Sequence, residues 1–134
     1  VIANGALVSV DLRNTSNKLL VHAEQAMTKF VTKICADEGV QCKTRSLVRF
    51  DPVTFDDEMV SLVSDTAQAL DFSVHQMPSG AGHDAQMFAP NCPTAMVFVP
   101  SRDGISHNVA EYTEDKYLKA GADVLLQVML AKAE

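Results

Sequence analysis

The chain has 134 residues, enough to bury a real core and sized for one ordinary domain or two small pieces of a larger protein. Apolar residues make up 47% and charged residues 21%, the balance of a soluble domain, and no apolar run approaches the ~20 residues of a membrane-spanning helix. A net charge of -6 with scattered lysines and arginines leaves no basic face for a phosphate backbone, so neither nucleic acid nor a membrane is an expected partner.

The opening "VIANGALVSVDLR" has neither an initiator methionine nor the basic start of a signal peptide, and it reads like the middle of a longer protein. Residues 6 to 12 alternate, with Ala6, Val8, Val10 and Leu12 on one face, which predicts a half-buried strand with Arg13 pointing away from the core. From Leu19 to Ile34 apolar residues recur at helical spacing. Thr15 or Ser16 is the candidate N-cap and Gly39 stands just past the end. "VQCKTRSLVRF" reads as a second strand, which "DPVT" breaks, because proline removes a donor and biases its predecessor to extended geometry. A boundary is expected at about residues 51 to 54.

The second half predicts a helix from about Asp56 to Leu70, a short strand "FSVHQM", and then the glycine-rich stretch "SGAGHDA". "TAMVFVP" is a continuous apolar run between prolines, the pattern of a strand buried on both faces of an α/β sheet. It leads into "SRDGISHN", after which Thr113 is the expected cap of a last helix with Glu114 and Asp115 in its first turn.

Cys35, Cys42 and Cys92 are odd in number and show neither a CxxC pair nor a disulfide-framework spacing, which fits a reducing, cytoplasmic compartment. "SGAGHDA" lacks the GxGxxG spacing and the lysine of a phosphate loop. Gly80 and Gly82 are therefore read as permitting a tight turn and the close approach of another group. Asp84 is read as the N-cap of a short helix. His107, on a loop after a predicted buried strand, is either a metal ligand or a loop histidine bonded to backbone, and Glu111 is a weak candidate to orient it from behind. Ser79, Ser101 and Ser106 sit in no GxSxG elbow, and no cysteine has a histidine at a suggestive spacing, so a serine or cysteine hydrolase is not expected. His22 and His75 read as surface residues.

The blocks "MPSGAGHDAQMFAP" and "MVFVPSRDGISHNVAEYT", with "VIANGALVSVDLRN" and "FDPVTFDDEMVSLV", resemble the C-terminal part of the N-carbamoyl-L-amino acid hydrolases and allantoate amidohydrolases, of the dinuclear-metal aminoacylase and carboxypeptidase superfamily. The resemblance runs in order over essentially the whole chain. It implies an α/β fold of two domains. Residues 1–52 would be the back half of an α+β lid that mediates homodimerisation, and residues 53–134 the closing β/α segment of the catalytic domain.

The resemblance also implies roles. His107 would be the last metal ligand, and Arg13 would bind the substrate carboxylate, a task that suits its planar fork. Gly82 and His83 would contact the ureido group, with His83 stabilising charge on the attacked carbonyl oxygen. Two divalent ions, zinc or manganese and possibly cobalt or nickel, would activate water in the intact enzyme. The other ligands and the general base would lie upstream, so the segment alone is expected to be inactive. The alternative is a non-catalytic α/β dimerisation module. One departure from the family pattern is Ala3 and Asn4, where relatives commonly have proline and glycine.

Overall fold

The computed structural model describes residues 3–133; Val1, Ile2 and Glu134 lie outside the described residues, so the opening block is described only from Ala3 onward. The chain divides into two compact units, Val1–Pro52 and Val53–Glu134, which meet within the "DPVT" segment.

The first unit is built on helix α1, Asn17–Asp37. Ser16 has extended backbone, and its hydroxyl accepts from the Leu19 N–H at 3.4 Å, taking one of the donors that a helix start leaves without a partner. At the other end Gly39 adopts φ +66°. The Val40 N–H reaches back to the Cys35 carbonyl at 3.0 Å and the Gly39 N–H to the Ala36 carbonyl at 3.3 Å. This pair of bonds is a Schellman closure, and it needs a left-handed residue where glycine stands. Leu20 is buried, with Ala23, Met27, Val31 and Cys35 half-buried along the same side. Phe30 and Ile34, expected in that stripe, are exposed. Arg49 fastens the chain after α1 back onto it: Nε pairs with Glu24 at 2.6 Å and Nη2 donates to Asn17 Oδ1 at 2.6 Å, while Nη1 holds Asp51 at 2.8 Å.

The second unit packs helix α2, Asp57–Ala69, against helix α4, Asp115–Ala133. Asp56 caps α2 by accepting from the Met59 N–H at 2.9 Å, and its own N–H donates to the Thr94 carbonyl at 3.2 Å. That second bond ties the start of α2 to the 94–97 segment. Helix α2 ends in another Schellman closure, with the left-handed position held by Asp71 at φ +60°. Val124 and Val128 of α4 are buried, as is Ala85 in the short helix α3, Ala85–Phe88. Gly121 lets α4 approach closely: a Cβ there would lie 2.6 Å from Val99 Cγ1. Helix α4 begins at Asp115, with the Tyr117 and Leu118 N–H groups bonded to the Glu114 carbonyl, so Thr113 lies one residue outside the cap position.

Four sequence expectations change here. The segments read as strands, at 6–12, 40–50, 72–77 and 94–100, carry no sheet ladder among the described residues, and the described secondary structure is helical. Alternation marks a face to be buried but does not supply the neighbouring N–H and C=O groups that make a strand. Without that neighbour Val8 and Val10 of the expected inner face are 76% and 59% exposed, and in "TAMVFVP" residues 94–97 are only half-buried while Phe98 and Val99 face outward. The α/β character of both pieces is thus absent as sheet among these residues.

Candidate functional site

The glycine-rich block shapes its first candidate residue through backbone bonds. The Ser79 hydroxyl donates to the Ala81 carbonyl at 2.8 Å and accepts from the Ala81 N–H at 3.4 Å, which folds the chain into a bend. Neither Gly80 nor Gly82 lies in the left-handed region. A Cβ on Gly80 would meet nothing within 4 Å, and one on Gly82 only Gln86 Oε1 at 3.9 Å. The bend at residues 80 and 81 is therefore made without a left-handed glycine. The two glycines leave open space beside the main chain.

His83 follows, and its Nδ1 accepts from the Ala85 N–H at 3.0 Å. An accepting Nδ1 puts the proton of the neutral imidazole on Nε2, so the ring presents one N–H donor. The same bond displaces the role expected of Asp84. That aspartate stands before α3, but it makes no side-chain cap bond, and its φ of -57° and ψ of -30° are already helical. A capping carboxylate needs extended backbone to turn back on the helix, and here the imidazole of His83 takes the free N–H instead.

His83 also lines a cavity of about 380 Å³ in the second unit, walled by Met59 and Val63 of α2, residues 95–97, and Leu125, Val128, Met129 and Lys132 of α4. The wall is mostly apolar, which favours strong hydrogen bonds from the few polar groups it holds. Gly82, His107 and Glu111 are not among the residues that line it.

The second candidate region is the loop 101–112. Its base is closed twice at Tyr112: the Arg102 N–H donates to the Tyr112 carbonyl at 2.8 Å, and the Arg102 guanidinium lies 4.2 Å over the Tyr112 ring. Inside the loop Asp103, Gly104 and His107 have φ of +56°, +67° and +55°. Left-handed backbone at two non-glycine residues is costly and persists where surrounding bonds fix it. For His107 that bond comes from Glu111, whose Oε2 accepts from the His107 backbone N–H at 2.7 Å. Glu111 thus holds the main chain of His107, and not its ring as a second-layer partner of a metal-bound imidazole would. The neighbouring turn is set by Asn108, whose Oδ1 accepts from Ala110 at 2.9 Å and whose carbonyl accepts from Glu111 at 3.0 Å. His107 itself is exposed. The Arg102 and Tyr112 clasp went unread in the sequence, where an arginine and a tyrosine ten positions apart carry no periodic signal.

Arg13 belongs to the first unit. Its Nε donates to both carboxylate oxygens of Asp11 at 3.1 Å and its Nη2 to Oδ2 at 2.6 Å. The hydrogen bond from Arg13, followed by the attraction of its charge, holds the Asp11 carboxyl below the usual carboxylate range, and the same contact raises Arg13. Asp11 therefore shows that the Arg13 fork can take a carboxylate two-handed, although sequence reading passed Asp11 over. His22 and His75 are exposed, as expected.

Among the described residues no group of three or more histidine, cysteine, aspartate or glutamate side chains is placed to hold a metal ion, so this segment by itself offers at most part of a ligand set, and the Glu111 carboxylate is engaged by the main chain of His107. Among the described residues no helix is long and apolar enough to cross a membrane.

Comparison with known proteins adds the rest. Residues 5–131 match the profile of Peptidase family M20/M25/M40. The chain is 35% identical over 129 residues to an allantoate amidohydrolase of Bacillus subtilis (strain 168), covering 96% of this chain and 31% of that protein. It is 37% identical over 134 residues to an N-carbamoyl-L-amino-acid amidohydrolase of Rhizobium meliloti, covering all of this chain and 32% of the relative. Among solved structures, an amidase of the hydantoinase/carbamoylase family from Burkholderia vietnamiensis superposes with a TM-score of 0.81 at 38% identity, covering 89% of this chain and 29% of that one. The chain thus spans about a third of the length of these relatives.

Proposed function

Because the chain belongs to peptidase family M20/M25/M40, we propose that it is the substrate-binding portion of an amidohydrolase that cleaves the linear C–N bond of an N-carbamoyl-L-amino acid or of allantoate. The observation that carries this reading is the in-order match of nearly the whole chain to relatives bearing those two names. On it, residues 1–52 are half of a lid that pairs two copies of the enzyme, and residues 53–134 close the catalytic domain.

The roles follow from the chemistry of each group. Arg13 binds the substrate carboxylate, as its grip on Asp11 exemplifies. His83 donates its Nε2–H to the carbonyl oxygen of the ureido or carbamoyl group, where negative charge grows as the carbonyl is attacked. The proton is in the right place because Nδ1 is occupied as an acceptor. Gly82 leaves room for that group beside its main chain. His107 offers one imidazole to a metal site whose remaining ligands come from polypeptide outside this segment. The segment by itself is not catalytic.

Two assays test the proposal. The parent polypeptide that carries this segment is expected to hydrolyse N-carbamoyl-L-amino acids, allantoate or ureidoglycolate, and the 134-residue chain alone none of them. A parent that turns over peptides but no ureido compound would sink the substrate class. Chelator-sensitive turnover by the isolated chain would overturn the division of labour between the two parts.

A further inference from the structure

One polar side chain borders the open space beside Gly82 and takes no part in the roles assigned to Gly82 and His83. Gln86 is half-buried in the short helix α3, and its N–H donates to the His83 carbonyl at 2.9 Å. That bond sets Gln86 three residues after His83 on one helical turn, and side chains at that spacing are neighbours. His83 is fastened in the same turn by the bond from the Ala85 N–H to its Nδ1 at 3.0 Å. The Gln86 carboxamide reaches back over the chain before α3: its Oε1 lies 3.9 Å from where a Cβ on Gly82 would stand, and among the described residues nothing else outside Gly82 and its chain neighbours comes within 4 Å of that point. The space beside Gly82 thus has one polar border, and the atom there is an oxygen.

We infer that Gln86 is a specificity-determining residue that accepts a hydrogen bond from the terminal amino group of the substrate's carbamoyl or ureido unit. This rests on the reading that the segment serves an amidohydrolase of that substrate class. The unit presents a carbonyl oxygen and, on the same carbon, an NH2 with two donors. The His83 Nε2–H is a donor suited to the oxygen, and Gln86 Oε1 is an acceptor suited to the NH2, so neighbouring side chains carry the complementary pair. A carboxamide oxygen has two lone pairs, so it can take a substrate N–H alongside a donor from the protein. An N-acetyl amino acid has nearly the same shape but sets CH3 where the carbamoyl group has NH2. With that analogue bound, the Gln86 oxygen loses water and gains no donor, and this cost is how a site built for an N–H rejects a ligand that lacks it.

The test uses the parent polypeptide and pairs an N-carbamoyl-L-amino acid with the N-acetyl derivative of the same amino acid. The ratio of the two kcat/KM values is read within one preparation, so it does not change with the fraction of protein that is folded; where the acetyl compound is not turned over, its inhibition constant is set against the KM of the carbamoyl compound. Gln86→Leu, with similar bulk and no acceptor, is expected to lower the preference for the carbamoyl compound by at least about tenfold, the scale of one lost hydrogen bond to a substrate N–H. Gln86→Glu keeps an acceptor oxygen and is expected to retain the preference even if both rates fall. Equal losses on the two substrates in Gln86→Leu would mean that Gln86 only supports the 79–85 block and would overturn the assignment, as would a Gln86→Glu variant that loses the preference along with Gln86→Leu. A parent that cleaves no ureido compound would remove the substrate class and this role with it, whereas ureido turnover with an unchanged preference in Gln86→Leu would remove Gln86 alone.

Discussion

Two loops of the second unit look alike in sequence importance and differ in physical character. The block 79–85 has two glycines, yet neither is left-handed and neither is crowded. The loop 101–112 has one glycine but three left-handed residues, two of them Asp103 and His107, and its base is clasped by Arg102 and Tyr112. The glycine-rich loop leaves space, whereas the other holds the main chain of His107 in one conformation at a cost in backbone energy. Space suits a substrate that must come and go, and a fixed main chain suits a residue whose position must be kept. Glycine count alone would have ranked the two the other way round.

The comparison can be broken most forcefully at His83. In the parent enzyme His83→Ala is expected to lower kcat/KM by about 100- to 1000-fold, the scale for removing one pre-placed donor to a developing oxyanion. Loss of its bond to Ala85 should cost only about 1 kcal/mol, as for other helix-start acceptors. Steady-state kinetics beside a denaturation curve separate the two effects, and a fall in activity no greater than the fall in stability would leave His83 as a cap alone.

Next in size is the contrast between glycines. Gly121→Ala should destabilise the chain by about 1–3 kcal/mol, since its new methyl would sit 2.6 Å from Val99 Cγ1 and overpack the helix against that segment. Gly80→Ala should stay within about 0.5 kcal/mol, as expected for an open surface position. Denaturant titration followed by far-ultraviolet circular dichroism would report both, and the reverse order would mean that the glycine-rich loop is the constrained one. Smaller again is His107→Gly in the isolated chain, expected to raise stability by about 0.5–1 kcal/mol by relieving left-handed backbone, net of glycine's extra freedom in the unfolded chain. Lower stability in that variant would show that the His107 side chain makes a contact worth more than its strain.

Much of the helical frame was legible in the sequence because caps are local chemistry. Thr15 or Ser16 was readable as a cap from its spacing to the first apolar turn, and Gly39 from its place after the last, while Asp56 was read as the first helical residue and proves to be the cap. The strand segments were not, because a ladder depends on a partner that alternation in one segment cannot specify. Sequence pointed to His83, His107 and Arg13 through resemblance, but their local fastenings stayed hidden. Asp84 lost its capping role to His83 through a backbone angle, and Glu111 turned to the main chain of His107 rather than to its ring.

The smallest effect tests how far left-handed backbone can be read as deliberate. Asp71 ends α2 at φ +60°, and the closure around it is complete: the Phe72 N–H bonds to Ala67 at 3.0 Å and the Asp71 N–H to Gln68 at 2.9 Å. Nothing in those bonds uses the aspartate side chain, so glycine should serve as well. Aspartate tolerates this region better than most residues, because its short polar side chain can bond locally, so the relief from Asp71→Gly is expected to be only a few tenths of a kcal/mol. Asp71→Ala should move stability the opposite way by a similar amount, since alanine keeps the Cβ and loses the local bonding. If glycine stabilises and alanine destabilises, Asp71 is a tolerated stand-in at a helix end, unlike His107, whose left-handed backbone is held by Glu111. If both variants destabilise, the Asp71 carboxylate contributes something of its own, and the two left-handed residues belong to one class.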